Sequence, residues 1–104
     1  MNLQLIKAAL LTVMSEVYHN ESQKQSEYIV WREIAGFKLE GDNKAAESGT
    51  MIAVDYFTKQ EYSEIPEQIT AALENCDEIA VSEPNIDFES DTKLTHYSWL
   101  CEVV

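Results

Sequence analysis

The chain has 104 residues, 45% of them hydrophobic, with nineteen acidic side chains against seven basic and a formal net charge of −12. That length makes one domain around one modest core, and the apolar content excludes a disordered chain. The acidity excludes a basic patch that grips phosphates, so a hold on DNA or RNA through the backbone is not expected. The same charge fits plain solubility, and it fits a surface that DNA passes without adhering.

Leu3, Ile6, Leu10, Val13 and Val17 recur at spacings of three and four. The stripe predicts a helix over residues 2–19, with Asn2 as its cap and Leu5, Leu11 and Met14 widening the buried side. His19 would then sit at a helix end, where a cation suits the dipole. Lys7 interrupts this stretch, no basic region precedes it and no small-residue cleavage site follows, so a targeting segment is not expected. No unbroken apolar run approaches the ~20 residues that cross a bilayer, and no membrane partner is expected. A polar string at 19–26 ends the helix.

A run of β-formers, Tyr28-Ile29-Val30-Trp31, opens a strand over 28–34 that Phe37 and Leu39 could extend. Its continuous apolarity predicts cover on both faces, by helices on one and a neighbouring subunit on the other. Residues 41–49 contain Gly41, Asp42, Asn43, Ser48 and Gly49 and read as a polar loop longer than a tight hairpin needs. A second strand, 50–57, places Ile52, Val54 and Tyr56 on one face and pairs antiparallel with the first.

Pro66 predicts the start of a second helix over 66–75, with Ile65, Ile69, Leu73 and Cys76 turned inward. Thr58-Lys59-Gln60-Glu61 resembles a capping box, but a helix begun there would hold Pro66 in its interior at a cost of about 3 kcal/mol. Strand patterns return at 78–82, break at Pro84, resume at Ile86 and Phe88, and end in the longest run, 93–103, with Tyr97, Trp99, Cys101 and Val103 on one face. The order α-β-β-α-β-β predicts an α+β fold, an antiparallel four-stranded sheet with two helices packed on one face.

Chemistry is sparse. Neither His19 nor His96 has a metal-spaced partner, and Cys76 and Cys101 form no CxxC, so no metal or redox centre is expected and the thiols read as small buried residues of a reducing cytoplasm. Asp87, Glu89 and Asp91 lack the spacing of a calcium loop, and no glycine-rich phosphate loop is present. No cofactor and no enzymatic activity are expected. The rings Tyr28, Trp31, Tyr56, Phe57, Tyr97 and Trp99 all fall on predicted strands, where core packing and a subunit interface are both open readings.

The run Tyr28-Ile29-Val30-Trp31, the pair Asp42-Asn43, and Val54-Asp55-Tyr56-Phe57-Thr58-Lys59 leading into a helix resemble the tail-completion or tail-terminator proteins of long-tailed phages and prophages. The likeness covers about residues 1–75, and this chain departs from it in an acidic, shorter C-terminal hairpin. It implies a virion part that caps the tail tube and joins it to the head-side connector. It also implies a ring of copies, often a hexamer, made in the host cytoplasm, through which DNA passes without specific binding. Gly41, Asp42, Asn43 and Lys44 of the loop, with Trp31, Tyr56 and Trp99, are the subunit-interface candidates. An acidic interaction module, such as a DNA mimic that occupies a nucleic-acid-binding protein, is the competing reading.

Overall fold

A computed structural model describes residues 3–38 and 48–104. The elements run α1 (Gln4–Leu11), β1 (Val17–His19), β2 (Tyr28–Lys38), β3 (Ser48–Thr58), α2 (Ile65–Glu74), β4 (Ile79–Val81), β5 (Asn85–Glu89) and β6 (Leu94–Val103). The fold is α+β, as the pattern of stripes and alternating runs requires. Its sheet is six-stranded and mixed rather than four-stranded and antiparallel, in the order β1-β2-β3-β6-β4 with β5 also on β6.

The added strand comes from the stretch read as the second half of the first helix. Helix α1 stops at Leu11, and Thr12 turns its hydroxyl back onto the Ala9 carbonyl at 2.6 Å. The β-branched Thr12 and Val13 lower helix propensity there. Val17, Tyr18 and His19 then pair in parallel with Ile29, Val30 and Trp31. Val13 and Val17 still pack against the core, so the stripe reported burial correctly and helix wrongly. Asn2, the expected cap, lies outside the described residues.

β3 is the centre of the sheet. It pairs antiparallel with β2 from Tyr28↔Phe57 to Lys38↔Ser48, past a register shift between Glu33 and Ala35, and with β6 from Thr50↔Val103 to Thr58↔Thr95. On the far edge of β6, β4 and β5 lie end to end: β4 opposite Val103 to Cys101, β5 opposite Ser98 to Leu94. Pro84 falls in the gap between them, where its missing N–H costs no ladder bond.

One face of the sheet packs on both helices. Ile29, Trp31, Ile52, Val54, Tyr56, Trp99, Cys101 and Val103 meet Ile6 and Leu10 of α1 and Ile69 and Leu73 of α2 in one apolar cluster. Pro66 sits in the first turn of α2, where proline is tolerated. Glu64 at the N-cap makes no side-chain capping bond. The Ser63 hydroxyl instead accepts the Ile65 N–H at 3.2 Å.

Ser48 and Gly49, read as loop, belong to β3. Gly49 is buried beneath the Phe37 ring, and an added Cβ would lie 2.5 Å from that ring and 2.6 Å from the Val103 carbonyl oxygen. Residues 41–47, with the candidates Gly41, Asp42, Asn43 and Lys44, lie outside the described residues.

Two stability outcomes follow. Leu10→Ala and Ile69→Ala, each fully buried in the shared core, should each cost about 2–5 kcal/mol in chemical denaturation. Gly49→Ala, although it adds a single methyl, should cost about 1–3 kcal/mol by overpacking against backbone that cannot retreat. A wild-type midpoint for Gly49→Ala would mean that β2 and β3 are not held this closely.

Candidate functional site

The sheet face opposite the helices carries the less ordinary arrangement. Strand alternation puts Tyr18, Tyr28, Val30, Arg32, Asp55, Phe57, His96 and Leu100 there. Tyr28 stacks on Phe57 with ring centroids 4.8 Å apart, and Phe57 stacks on His96 at 4.3 Å. Tyr18 meets Tyr28 edge to face at 6.5 Å. His96 Nε2–H donates to Asp55 Oδ1 at 2.8 Å. Beside this row, a hollow of about 370 Å³ is lined by Asn20, Ser22, Arg32, Asp55, Phe57 and His96.

Asn20 and Ser22 belong to the short connection between the parallel strands β1 and β2. Asn20 itself takes a left-handed conformation at φ 69°, one that asparagine tolerates better than most residues. The connection runs past the open face, and with Tyr18 and Phe57 it covers Tyr28 and Val30, which are 4% and 6% exposed. The start of β2 is therefore covered on both faces, as its apolar run predicts, but the second cover is the chain itself and not a neighbouring subunit. From Arg32 onward the outer edge of β2 has no strand beside it among the described residues, and Ile34 at the register shift is 49% exposed.

The three aromatic interface candidates are core residues. Trp31, Tyr56 and Trp99 are 5%, 0% and 1% exposed, so none of these rings is a surface that a second subunit could reach. Tyr56 ends in a polar cluster: its hydroxyl donates to Glu27 and accepts from Ser63, while Gln60 donates to the other Glu27 oxygen at 2.9 Å. Burial, with the Glu27 carboxylate second, pushes the Tyr56 phenol up to about 12. It acts as a neutral donor and not as an acid.

His19 ends β1 instead of a helix. It lies flat on Trp31 at 3.9 Å and is hydrogen-bonded to Glu33. Cys101 is buried, which pushes its thiol up to about 12, and the half-buried Cys76 donates to Glu78 at 3.4 Å. Neither thiol has the electropositive surroundings of a reactive cysteine. Among the described residues no group of three or more His, Cys, Asp or Glu side chains is placed to hold a metal ion. Among them, too, no helix is long and apolar enough to cross a membrane.

The fold does have a solved counterpart. A chain in the virion of a native gene transfer agent particle superposes on this protein with a TM-score of 0.53 at 10% sequence identity, spanning 98% of this chain and 84% of that one. The likeness is one of overall fold, with little shared sequence. No family model matches the chain, and no curated protein matches it either.

What sequence reading missed on the open face is the His96–Asp55 bond, which joins residues 41 apart in the chain. The available signal was period-two alternation, which places both side chains on the face away from Tyr56 and Trp99. The bond to Asp55 raises the His96 pKa, burial opposes this, and the charges of Asp55, Glu89 and Asp87 add to the rise. A histidine whose folded value is raised stabilises the fold fully below its unfolded pKa of about 6.5, and that contribution is lost as pH climbs through the raised value. The denaturation midpoint of the wild type should therefore fall relative to that of His96→Gln as pH rises from about 6 to 8. In an NMR titration Asp55→Asn should bring the His96 pKa down. A His96 resonance that titrates identically with and without Asp55 would break the assignment.

Proposed function

We propose that this protein is a non-enzymatic structural part of a phage-like virion, that it completes or terminates the tail tube, and that it helps join tail to head as a ring of copies. The observation that carries the reading is the shared fold, over almost the whole chain, with a chain of the gene transfer agent virion. The resemblance of Tyr28-Ile29-Val30-Trp31 and of Val54-Asp55-Tyr56-Phe57-Thr58-Lys59 to tail-completion proteins narrows it to the tail–head junction.

A closed ring needs two different patches on each subunit that fit one another. The outer edge of β2 beyond Trp31, which has no strand beside it among the described residues and carries Arg32, Ile34 and Lys38, offers one kind of surface, and the open sheet face with the exposed Leu100 offers another. In this reading the stretch read as the polar loop 41–49, whose residues 41–47 lie outside the described residues, reaches a neighbouring subunit, the tail tube or the head connector. A net charge of −12 keeps DNA moving through such a passage instead of holding it. The same charge opposes ring closure in dilute solution, because like charges crowd together and are screened only as salt shortens the Debye length below about 10 Å. The protein is then made in the host cytoplasm, remains small when free, and assembles on a tail tube.

Two measurements test the reading. Sedimentation should move toward larger species as salt and protein concentration rise together. A phage lacking the protein should accumulate unjoined heads and tails, and a protein shortened within residues 41–47 should fold yet fail to restore joining, since polar loop tips tolerate deletion. Fully joined particles without the protein would overturn the proposal. Tight, salt-sensitive binding to a basic DNA-binding protein would favour a DNA mimic in its place.

A further inference from the structure

The helix-bearing side of the sheet is not fully covered. α2 lies over β4 and β6, and its Thr70 hydroxyl accepts the Trp99 Nε1–H at 2.9 Å. Beyond it the sheet continues through Tyr97 to β5, with no helix above. The result is a groove of about 490 Å³ between α2 and β5, with an apolar floor of Pro66, Ala71, Pro84, Ile86 and Tyr97. Ile86 is 65% exposed, and Phe88 on the same face of β5 is 58% exposed. Glu67, Glu74 and Glu83 stand around the rim.

The outer side of β5 is equally open. Among the described residues β5 pairs only with β6, and all five of its residues are exposed. A strand edge of this kind presents a row of unpaired N–H and C=O groups to solvent. The surrounding charge selects what can pair with it. Between Lys59 and Lys93 the sequence has ten carboxylates and no basic residue, and that segment supplies α2, β4 and β5. Carboxylates on an edge repel a like-charged strand, so a second copy of this edge is disfavoured, whereas a basic strand is attracted.

We propose that the groove between α2 and β5 is a docking site for an extended, basic segment of a partner protein, which adds as a strand to the free edge of β5. Alternate side chains of an added strand point to opposite faces of the sheet. On the groove side the segment places aliphatic residues over Ile86, Pro84 and Tyr97, its alternate lysines or arginines meet Asp87 on the opposite face, and Glu83 beside the start of β5, with Glu67 and Glu74 on the groove rim, attracts the basic segment as it approaches. Main-chain bonds supply pairing, the groove supplies specificity, and the rim supplies attraction at a distance. The inference stands on the geometry of α2 and β5 alone and holds whether or not the protein belongs to a tail.

The probe is a short synthetic peptide alternating leucine with lysine, titrated into the full chain while amide resonances are followed. Shifts should concentrate on β5 and on the Thr70–Ala71 side of α2. A leucine–glutamate peptide should not bind, and the leucine–lysine peptide N-methylated along one backbone edge should lose most of its affinity. Ile86→Ser and Glu83→Lys, both at exposed positions that the fold does not rely on, should each weaken binding about tenfold. Glu102→Lys makes the same change in net charge on the opposite sheet face and should alter affinity by less than about twofold. Three results would overturn the proposal: equal weakening by Glu102→Lys and Glu83→Lys, which is attraction by net charge alone; full affinity of the N-methylated peptide; or a peptide-free dimer that Ile86→Ser dissolves, which makes a second copy the occupant.

Discussion

Trp99 is the residue on which the arrangement turns. It stands in the middle of β6, directly opposite Val54 of the central strand, and is 1% exposed. A buried indole must still satisfy its N–H, and the donor finds the Thr70 hydroxyl on α2, which itself donates to the Pro66 carbonyl at 3.1 Å. One side chain thus fixes the height, the rotation and the first turn of α2 over the sheet. The Tyr56 cluster fixes the approach to that turn: Ser63 hydrogen-bonds Tyr56 and also accepts the Ile65 N–H. Two polar contacts inside an otherwise apolar core do what capping side chains do elsewhere. Among the described residues no buried side-chain nitrogen or oxygen lacks a partner.

With α2 anchored there, the rest of the sheet divides into covered and uncovered regions. α1 and α2 together span β2, β3 and the β4 side of β6, and their apolar stripes close over Ile52, Val54 and Cys101. Two helices of eight and ten residues are too short to cover a six-stranded sheet. Among the described residues, no helix covers the far half of β2 or β5, and large apolar side chains on both strands, Ile34 on the first and Ile86 and Phe88 on the second, stand in solvent. Exposed apolar groups beside free strand edges are an aggregation hazard unless something disfavours pairing. Here Arg32 and Lys38 mark one edge and Asp87 and Glu89 the other.

Much of this was legible in the sequence, because burial imposes period on a chain. Alternation grouped Ile52, Val54 and Tyr56, and Tyr97, Trp99, Cys101 and Val103, each on one face of its strand, and Pro66 marked the start of α2 to within a residue. The failures have a common cause. Spacings of three and four at Val13 and Val17 describe residues that are packed against the core, and a turn followed by a strand can meet that condition as well as a helix can. The strand formers Val17-Tyr18-His19 were the competing signal. Glycine misled in a similar way. Gly49 was read as a turn former, whereas its lack of a side chain makes room for the Phe37 ring inside a strand. For the aromatics, strand propensity could say that Trp31, Tyr56 and Trp99 lie on the sheet but not which face the helices would choose. The pairing of His96 with Asp55, and of Tyr56 with Glu27, joins segments far apart in sequence and has no local signature.

The distribution of charge links fold to assembly. A chain at −12 is penalised by its own repulsion whenever copies approach, and the proposed place in a virion would require contacts all the same. The sheet reconciles the two demands by separating them. Among the described residues its exposed apolar edges lie at opposite ends, β2 carrying Arg32, Glu33 and Lys38 and β5 carrying Asp87 and Glu89, so the acidic β5 edge in particular does not pair comfortably with its own twin. Contact of the β5 edge with a basic partner meets no such penalty. The acidic charge thereby disfavours a second copy at the β5 edge while leaving that edge attractive to a basic strand.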